Sequence, residues 1–252
     1  MFDGSAALAS ALEDERPGAA SMPAFAYAFQ PIVNTRSRSI YSYEALIRGP
    51  EGQPAWWVFE SLGDGDLAAF DELTRNAAVV AGTALGIDCC INLNCLPRSL
   101  QSPVGAVHGT LATAARCGFP FSQIILEVTE TEMIHDRGQF AQSIDTFRRN
   151  GVKVAIDDFG AGYSGLNLLV EFQPDMIKLD MNLIRGIESH APRQAIARAL
   201  MSACTELGID VIAEGVETTD ELHWCEDAGI YLFQGYLFAR PGFACLPGVT
   251  FP

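Results

Sequence analysis

The sequence predicts an α/β fold, an irregular closed (β/α)8 barrel whose first two strands run antiparallel. From Phe25 onward, short β-branched apolar runs alternate with longer helical stretches, the pattern of a mainly parallel sheet wrapped by helices. Eight such runs occur, the number that closes a small barrel. Only NTRSRS (34–39) separates the first two, too few residues for a crossover helix, so that pair has to be antiparallel.

Strands are expected at 25–33, 40–47, 88–94, 123–129, 152–157, 175–180, 209–214 and 230–235. Between them, LAAFDELTRNAAVVAGTALG (67–86), GQFAQSIDTFRRNG (138–151) and RQAIARALMSACTELG (193–208) each carry an apolar stripe and end in glycine, as scaffold helices do. Trp56 and Trp57, in GQPAWWVFESLG, are expected to be partly exposed. Residues 1–22 carry Glu13, Asp14 and Glu15 where a secretory leader would be apolar, and read as a mobile or linker-like lead-in. A chain of 252 residues, 49% of them hydrophobic, suffices for one large core, so a single domain is expected over 23–252.

Composition narrows the function. Sixteen Lys and Arg against 31 Asp and Glu give a net charge of −15, which lacks the basic stripe a DNA-gripping protein needs. No apolar run approaches membrane-spanning length, so no membrane partner is expected. The seven cysteines are scattered and form no C-x-x-C pair. They read as small core residues of a reduced, cytoplasmic protein, with neither a zinc site nor a disulfide framework.

Polar residues recur at seven successive strand ends: Glu44, Asn92, Glu127, the pair Asp157 and Asp158, Lys178, Glu214 and Gln234. In barrels of this kind the working residues sit at the C-terminal strand ends. The stretch KVAIDDFGAGYSGLNLL (153–169) ends its apolar run in two adjacent carboxylates before a glycine-rich turn. Asp157 and Asp158 would either cap a following helix or hold a cation. Glu44, Asn92 and Glu127 each have an ordinary structural reading when taken singly, and Lys178 could simply pair with Asp180 or another wall carboxylate. Together they supply enough hard oxygen donors for two divalent ions, Mg2+ or Mn2+, with Asp157 placed to bridge ions about 3.5–4 Å apart. Ca2+, which prefers looser coordination, is expected to bind and inhibit. A protonated Lys178 cannot ligate, so it is expected to orient the attacking water or stabilise a phosphoryl oxygen, with its pKa lowered by two nearby dications.

YEALIRG (43–49), INLN (91–94), ILEVTET (125–131), AIDDFGAGYSGL (155–166), IKLD (177–180), VIAEGVET (211–218) and FQGYLFARP (233–241), in this order, resemble the signature blocks of the EAL-domain family. These are bacterial phosphodiesterases that open cyclic di-GMP to the linear dinucleotide. The resemblance implies a modified TIM barrel with two metal ions. Glu44, Asn92, Glu127, Asp157, Asp158 and Glu214 match the family's metal ligands, and Lys178 its catalytic lysine, with Glu214 and Asp157 also in the catalytic set. Glu130 matches the glutamate that holds the loop after strand five, and Glu217 a supporting acid behind Glu214. Gln30, Arg48 and Gln234 match polar groups that contact substrate. The reaction implied is in-line attack of an activated water on one phosphorus, with departure of the 3′ oxygen.

The chain departs from the family at Ala161 and Gly165, where a hydroxyl residue and a serine are usual. Its RGPEGQPAWWVFESLGDGDLAAFD segment resembles the branch linked to BLUF blue-light sensors, which implies an upstream sensor domain or protein; a homodimer is also implied by the resemblance. The alternative from another class is a catalytically weak cyclic di-GMP receptor or protein-interaction module, as in relatives that have lost ligands. A sugar-processing barrel with paired carboxylates would need neither Asn92 nor Lys178.

Overall fold

The computed structural model describes residues 22–62, 67–101, 105–129, 137–161, 169–170 and 172–252. The expected lead-in therefore lies outside the described residues except for Met22. The eight expected strands are β1 (Ala26–Asn34), β2 (Ser39–Arg48), β3 (Cys90–Cys95), β4 (Ile124–Thr129), β5 (Lys153–Phe159), β6 (Met176–Leu179), β7 (Asp210–Ala213) and β8 (Leu232–Phe233). They close in the order β1-β2-β3-β4-β5-β6-β7-β8-β1. β2 to β8 are mutually parallel, whereas β1 runs antiparallel to both β2 and β8. A short β9 (Gly242–Phe243), which the apolar pattern did not announce, pairs with β1 at Ala28 and Phe29.

The described residues include the helices α1 (Ala55–Leu62), α2 (Leu67–Ala84), α3 (Gly105–Cys117), α4 (Arg137–Arg149), α5 (Met181–Ile184), α6 (Ala191–Leu207) and α7 (Thr219–Asp227). α2, α4 and α6 correspond to the expected scaffold helices; α6 ends at Gly208, whose φ of 70° supplies the left-handed cap. α1 presents Trp56 (60% exposed) and Trp57 to solvent. Not every cysteine is core as expected: Cys95, Cys204 and Cys225 are buried, but Cys245 is exposed on the tail after β9. No helix among the described residues is long and apolar enough to cross a membrane.

Strand alternation splits the apolar side chains into two sets. Outward-facing ones such as Leu93, Leu126 and Val154 pack under α2 and α4, and Ile177, Leu179 and Val211 pack under α6 and α7. Inward-facing Ile32, Ile125, Ala155, Met176, Ile212 and Leu232 fill the barrel with one layer of side chains. That layer is the floor on which the polar residues stand.

A buried polar network braces the β3 end of this frame. Asp71 and Arg75, one turn apart on α2, form an ion pair. Asp71 also accepts from Ser99 Oγ and from the backbone N–H of Leu96 at 3.1 Å, just beyond β3. The Arg75 side chain donates to Thr110 of α3 and contacts Cys95 Sγ at 3.2 Å. Removing one member strands a buried charge. Asp71→Ala should therefore cost roughly 3–5 kcal/mol of stability, read as a lower denaturation midpoint in urea; a loss below about 1 kcal/mol, typical of exposed pairs, would mean that the guanidinium finds water.

Candidate metal centre

Five polar residues of the barrel mouth follow a floor residue by two positions, which puts both on the inner face of the same strand. The pairs are Ile125 and Glu127, Ala155 and Asp157, Met176 and Lys178, Ile212 and Glu214, and Leu232 and Gln234. On the reversed β1 the order inverts, with Gln30 preceding Ile32; Gln30 is the direct register partner of Glu44. Glu44 in turn lies level with Asn92 across the β2–β3 ladder.

Asp157 and Asp158 escape the alternation that would send one of them outward. The β5–β6 register runs from Ile156↔Ile177 directly to Phe159↔Leu179, so both aspartates stand opposite Lys178 in a bulge. Asp158 takes a left-handed φ of 52°, unusual for a residue with a Cβ but accessible to Asp. Oxygens of Glu44, Glu127 and Asp157 lie within 4.8 Å of one another, and so do those of Asp157, Asp158 and Glu214. Asp157 belongs to both groups, the position of a bridging ligand.

The Lys178 ammonium stands at the middle, 2.8 Å from Glu214, 2.9 Å from Glu127 and Asp157, and 3.4 Å from Glu44. These partners, and not Asp180, take its charge; Asp180 instead caps α5 by accepting from the N–H of Asn182. Asn92 Nδ2 donates to Glu127 Oε1 at 2.8 Å, and Gln234 Nε2 donates to Glu44 Oε2 at 2.7 Å. Asn92 Oδ1 and Glu127 Oε2 remain buried with no hydrogen-bond partner among the described residues. Buried oxygens without hydrogen bonds, set beside a group of carboxylates, suit a hard divalent cation.

The electrostatics agree. Five carboxylates share one ammonium, and three are pushed above their ordinary range. Burial raises Glu127 well up, and it raises Glu214 to about 8, in both cases against the pull of Lys178. Asp158 is raised by burial and then by the charge of Asp157. Burial alone would push Lys178 down, but Asp157, Glu127, Glu214 and Glu44 hold it well above its ordinary value. A downward shift would have to come from the dications themselves.

The other expected site residues are placed as follows. Gln30 is buried and donates to the carbonyl of Ala239 at 3.2 Å. Arg48 ends β2 half-buried, with Nη1 on the carbonyl of Ile47. Glu217 pairs with Arg185 at 2.7 Å on a well-exposed surface. Glu130 lies outside the described residues, as do positions 162–168 of the loop after β5 and any helix cap made there.

Two residues were missed by the sequence reading. Asn94 donates to Glu44 Oε1 at 3.3 Å; the period of two in INLN places it on the same face as Asn92. Glu221, 2% exposed, accepts from the backbone N–H groups of Gly186, Glu217 and Thr218 and so orders the turn after Glu214. Its signal was the capping box that starts at Thr218. Gly235 presses this turn against the one after β8: a Cβ there would overlap the Val216 carbonyl oxygen.

Similarity to known proteins decides the family. The model for the EAL domain matches residues 14–241. The chain belongs to the EAL domain family. It is 39% identical over 227 residues to the blue light- and temperature-regulated antirepressor BluF of Escherichia coli, covering 90% of this chain and 56% of BluF. Among solved structures, a standalone EAL protein from Vibrio cholerae with cyclic di-GMP bound superposes with a TM-score of 0.87 at 39% identity, covering 92% of this chain and 98% of that one. The manganese and cyclic di-GMP complex of Klebsiella pneumoniae BlrP1 gives 0.85 at 39% identity, covering 93% of this chain and 60% of that one. The eight-stranded barrel with its antiparallel first pair is thus the family's fold.

A carboxyl whose pKa is raised on folding keeps its proton longer in the folded state than in the unfolded one. Its contribution therefore weakens folding as pH climbs from about 4.5 to about 8, and adds nothing further above that. In chelator, the thermal midpoint should fall across this window more steeply for the unaltered protein than for Glu214→Gln. Added Mn2+ should reverse the fall, since metal and proton compete for the same oxygens. Parallel pH profiles for the two proteins would remove Glu214 from the titrating cluster.

Proposed function

We propose that this chain hydrolyses cyclic di-GMP to the linear dinucleotide with two divalent ions, Mg2+ or Mn2+. The observation that carries the reading is the buried ring of carboxylates that share Asp157 between two oxygen groups and hold one ammonium at their centre. The relatives' bound ligands support it: cyclic di-GMP in the V. cholerae protein, and manganese with cyclic di-GMP in BlrP1.

Glu44, Asn92, Glu127, Asp157, Asp158 and Glu214 would hold the ions, which when bound supply activation of water and neutralisation of phosphoryl charge. Lys178 brings a fixed ammonium to a ring that is otherwise acidic, where it can orient the attacking water or donate to a phosphoryl oxygen. Arg48, at the rim, offers a second cation to the dinucleotide, and the Gln30 amide faces the same mouth from β1. The inner apolar layer closes the barrel from below, so the dinucleotide enters from the strand-end side.

The reading extends to a cytoplasmic homodimer that takes its signal from an upstream sensor, in keeping with the light-regulated BluF, of which the chain spans 56%. That relative also favours a second reading. BluF is named an antirepressor, the role of a protein-interaction module, so this barrel could bind cyclic di-GMP chiefly to change a protein contact.

Turnover separates the two. The enzyme reading expects linear dinucleotide in Mg2+ or Mn2+, at least 100-fold less in chelator and little in Ca2+, measured by chromatography of the products. Equal rates in chelator and in Mg2+ would sink the two-ion reading, and binding without turnover would favour the receptor. Lys178→Ala should keep Mn2+ and cyclic di-GMP binding but lower kcat about 100-fold or more with little change in KM, as expected of a group that acts in the transition state. Normal turnover with weak binding would make Lys178 a holding residue instead.

A further inference from the structure

Glu44 is held differently from the other carboxylates of the ring. Gln234, from β8, donates to Oε2 at 2.7 Å, while Asn94, from β3, donates to Oε1 at 3.3 Å. Lys178 approaches only Oε2, at 3.4 Å, its longest contact with the four carboxylates it touches. The two amides come from opposite sides, because β3 is one neighbour of β2 while β8 is reached across β1. Together they fix the plane of a side chain whose last torsion is otherwise broad and roughly two-fold.

The neighbouring amide, Asn92, makes a comparable bond to Glu127 and keeps a buried oxygen with no hydrogen-bond partner among the described residues. Asn94 is different. It sits two residues further out on the same face, is exposed, and contributes no packing to either core layer. The contact that distinguishes it is the one to Glu44.

We propose that Asn94 is a positioning residue: with Gln234 it clamps Glu44 in the orientation needed for metal ligation, and so sets the affinity of the centre for its ion. This inference rests on the two-ion reading of the site. Groups that orient a ligand from outside the coordination sphere typically change metal affinity by 10–100-fold when removed.

The test is titration calorimetry of the full chain with Mn2+, without substrate, for the unaltered protein and for Asn94→Ala. The variant should bind Mn2+ about tenfold more weakly, with its thermal midpoint in chelator unchanged because the side chain is exposed. Its kcat should fall at limiting Mn2+ and recover at saturating Mn2+, with KM for cyclic di-GMP unaltered there. Unchanged Mn2+ affinity would overturn the positioning role. So would a raised KM that persists at saturating Mn2+, since that is the behaviour of a direct substrate contact. If the unaltered protein binds no Mn2+, the metal reading fails and this inference fails with it, whereas tight binding by both proteins defeats the inference alone.

Discussion

A single buried ammonium among several carboxylates is the constraint to which the rest of the mouth answers. Lys178 is 1% exposed and touches four acids, Glu44, Glu127, Asp157 and Glu214, with Asp158 close behind. One positive charge cannot neutralise five negative ones, and burial disfavours the ionised form of each acid. The raised pKa values of Glu127, Asp158 and Glu214 are that conflict expressed as proton affinity. Divalent cations would resolve it, and would leave an acidic protein able to receive an anionic ligand.

Such a cluster has to be imposed by backbone geometry, because the side chains left to themselves would repel one another. The closed barrel does this by bringing seven parallel strand ends to one rim, five of them with a polar residue two positions above an apolar floor residue. The bulge in β5 adds a second carboxylate where regular alternation would have turned Asp158 away. Reversal of β1 contributes Gln30 from the opposite chain direction. The turns after β7 and β8 are held by Glu221 and by the close approach at Gly235, so Glu214 and Gln234 stand on ordered supports.

The same construction serves either a hydrolase or a ligand-gated interaction module. What distinguishes them is whether the ring, once loaded, drives chemistry at the phosphorus or only holds the dinucleotide. The features on the side of chemistry are specific: Asp157 shared between two groups of oxygens, buried oxygens on Asn92 and Glu127 that lack hydrogen bonds among the described residues, and an ammonium that cannot itself be a ligand.

Much of this was legible in the sequence. The eight strands follow from β-branched runs, the antiparallel first pair from a six-residue connection, and the metal-ligand candidates from polar residues at strand ends, because alternation and strand direction are local properties. Other features depended on contacts between distant segments. Gln234, expected as a substrate contact, turns its amide to Glu44, 190 residues away. Glu217, expected behind Glu214, pairs with Arg185, and the turn after Glu214 is also held by Glu221, which pattern did not single out. The bulge that brings both aspartates inward and the Asp71–Arg75 brace beneath Leu96 are likewise products of packing. Pattern along the chain determined which residues reach the rim; the register between strands and the closure of the barrel decided which of them touch, since hydrogen bonds depend on distances that only the folded chain sets.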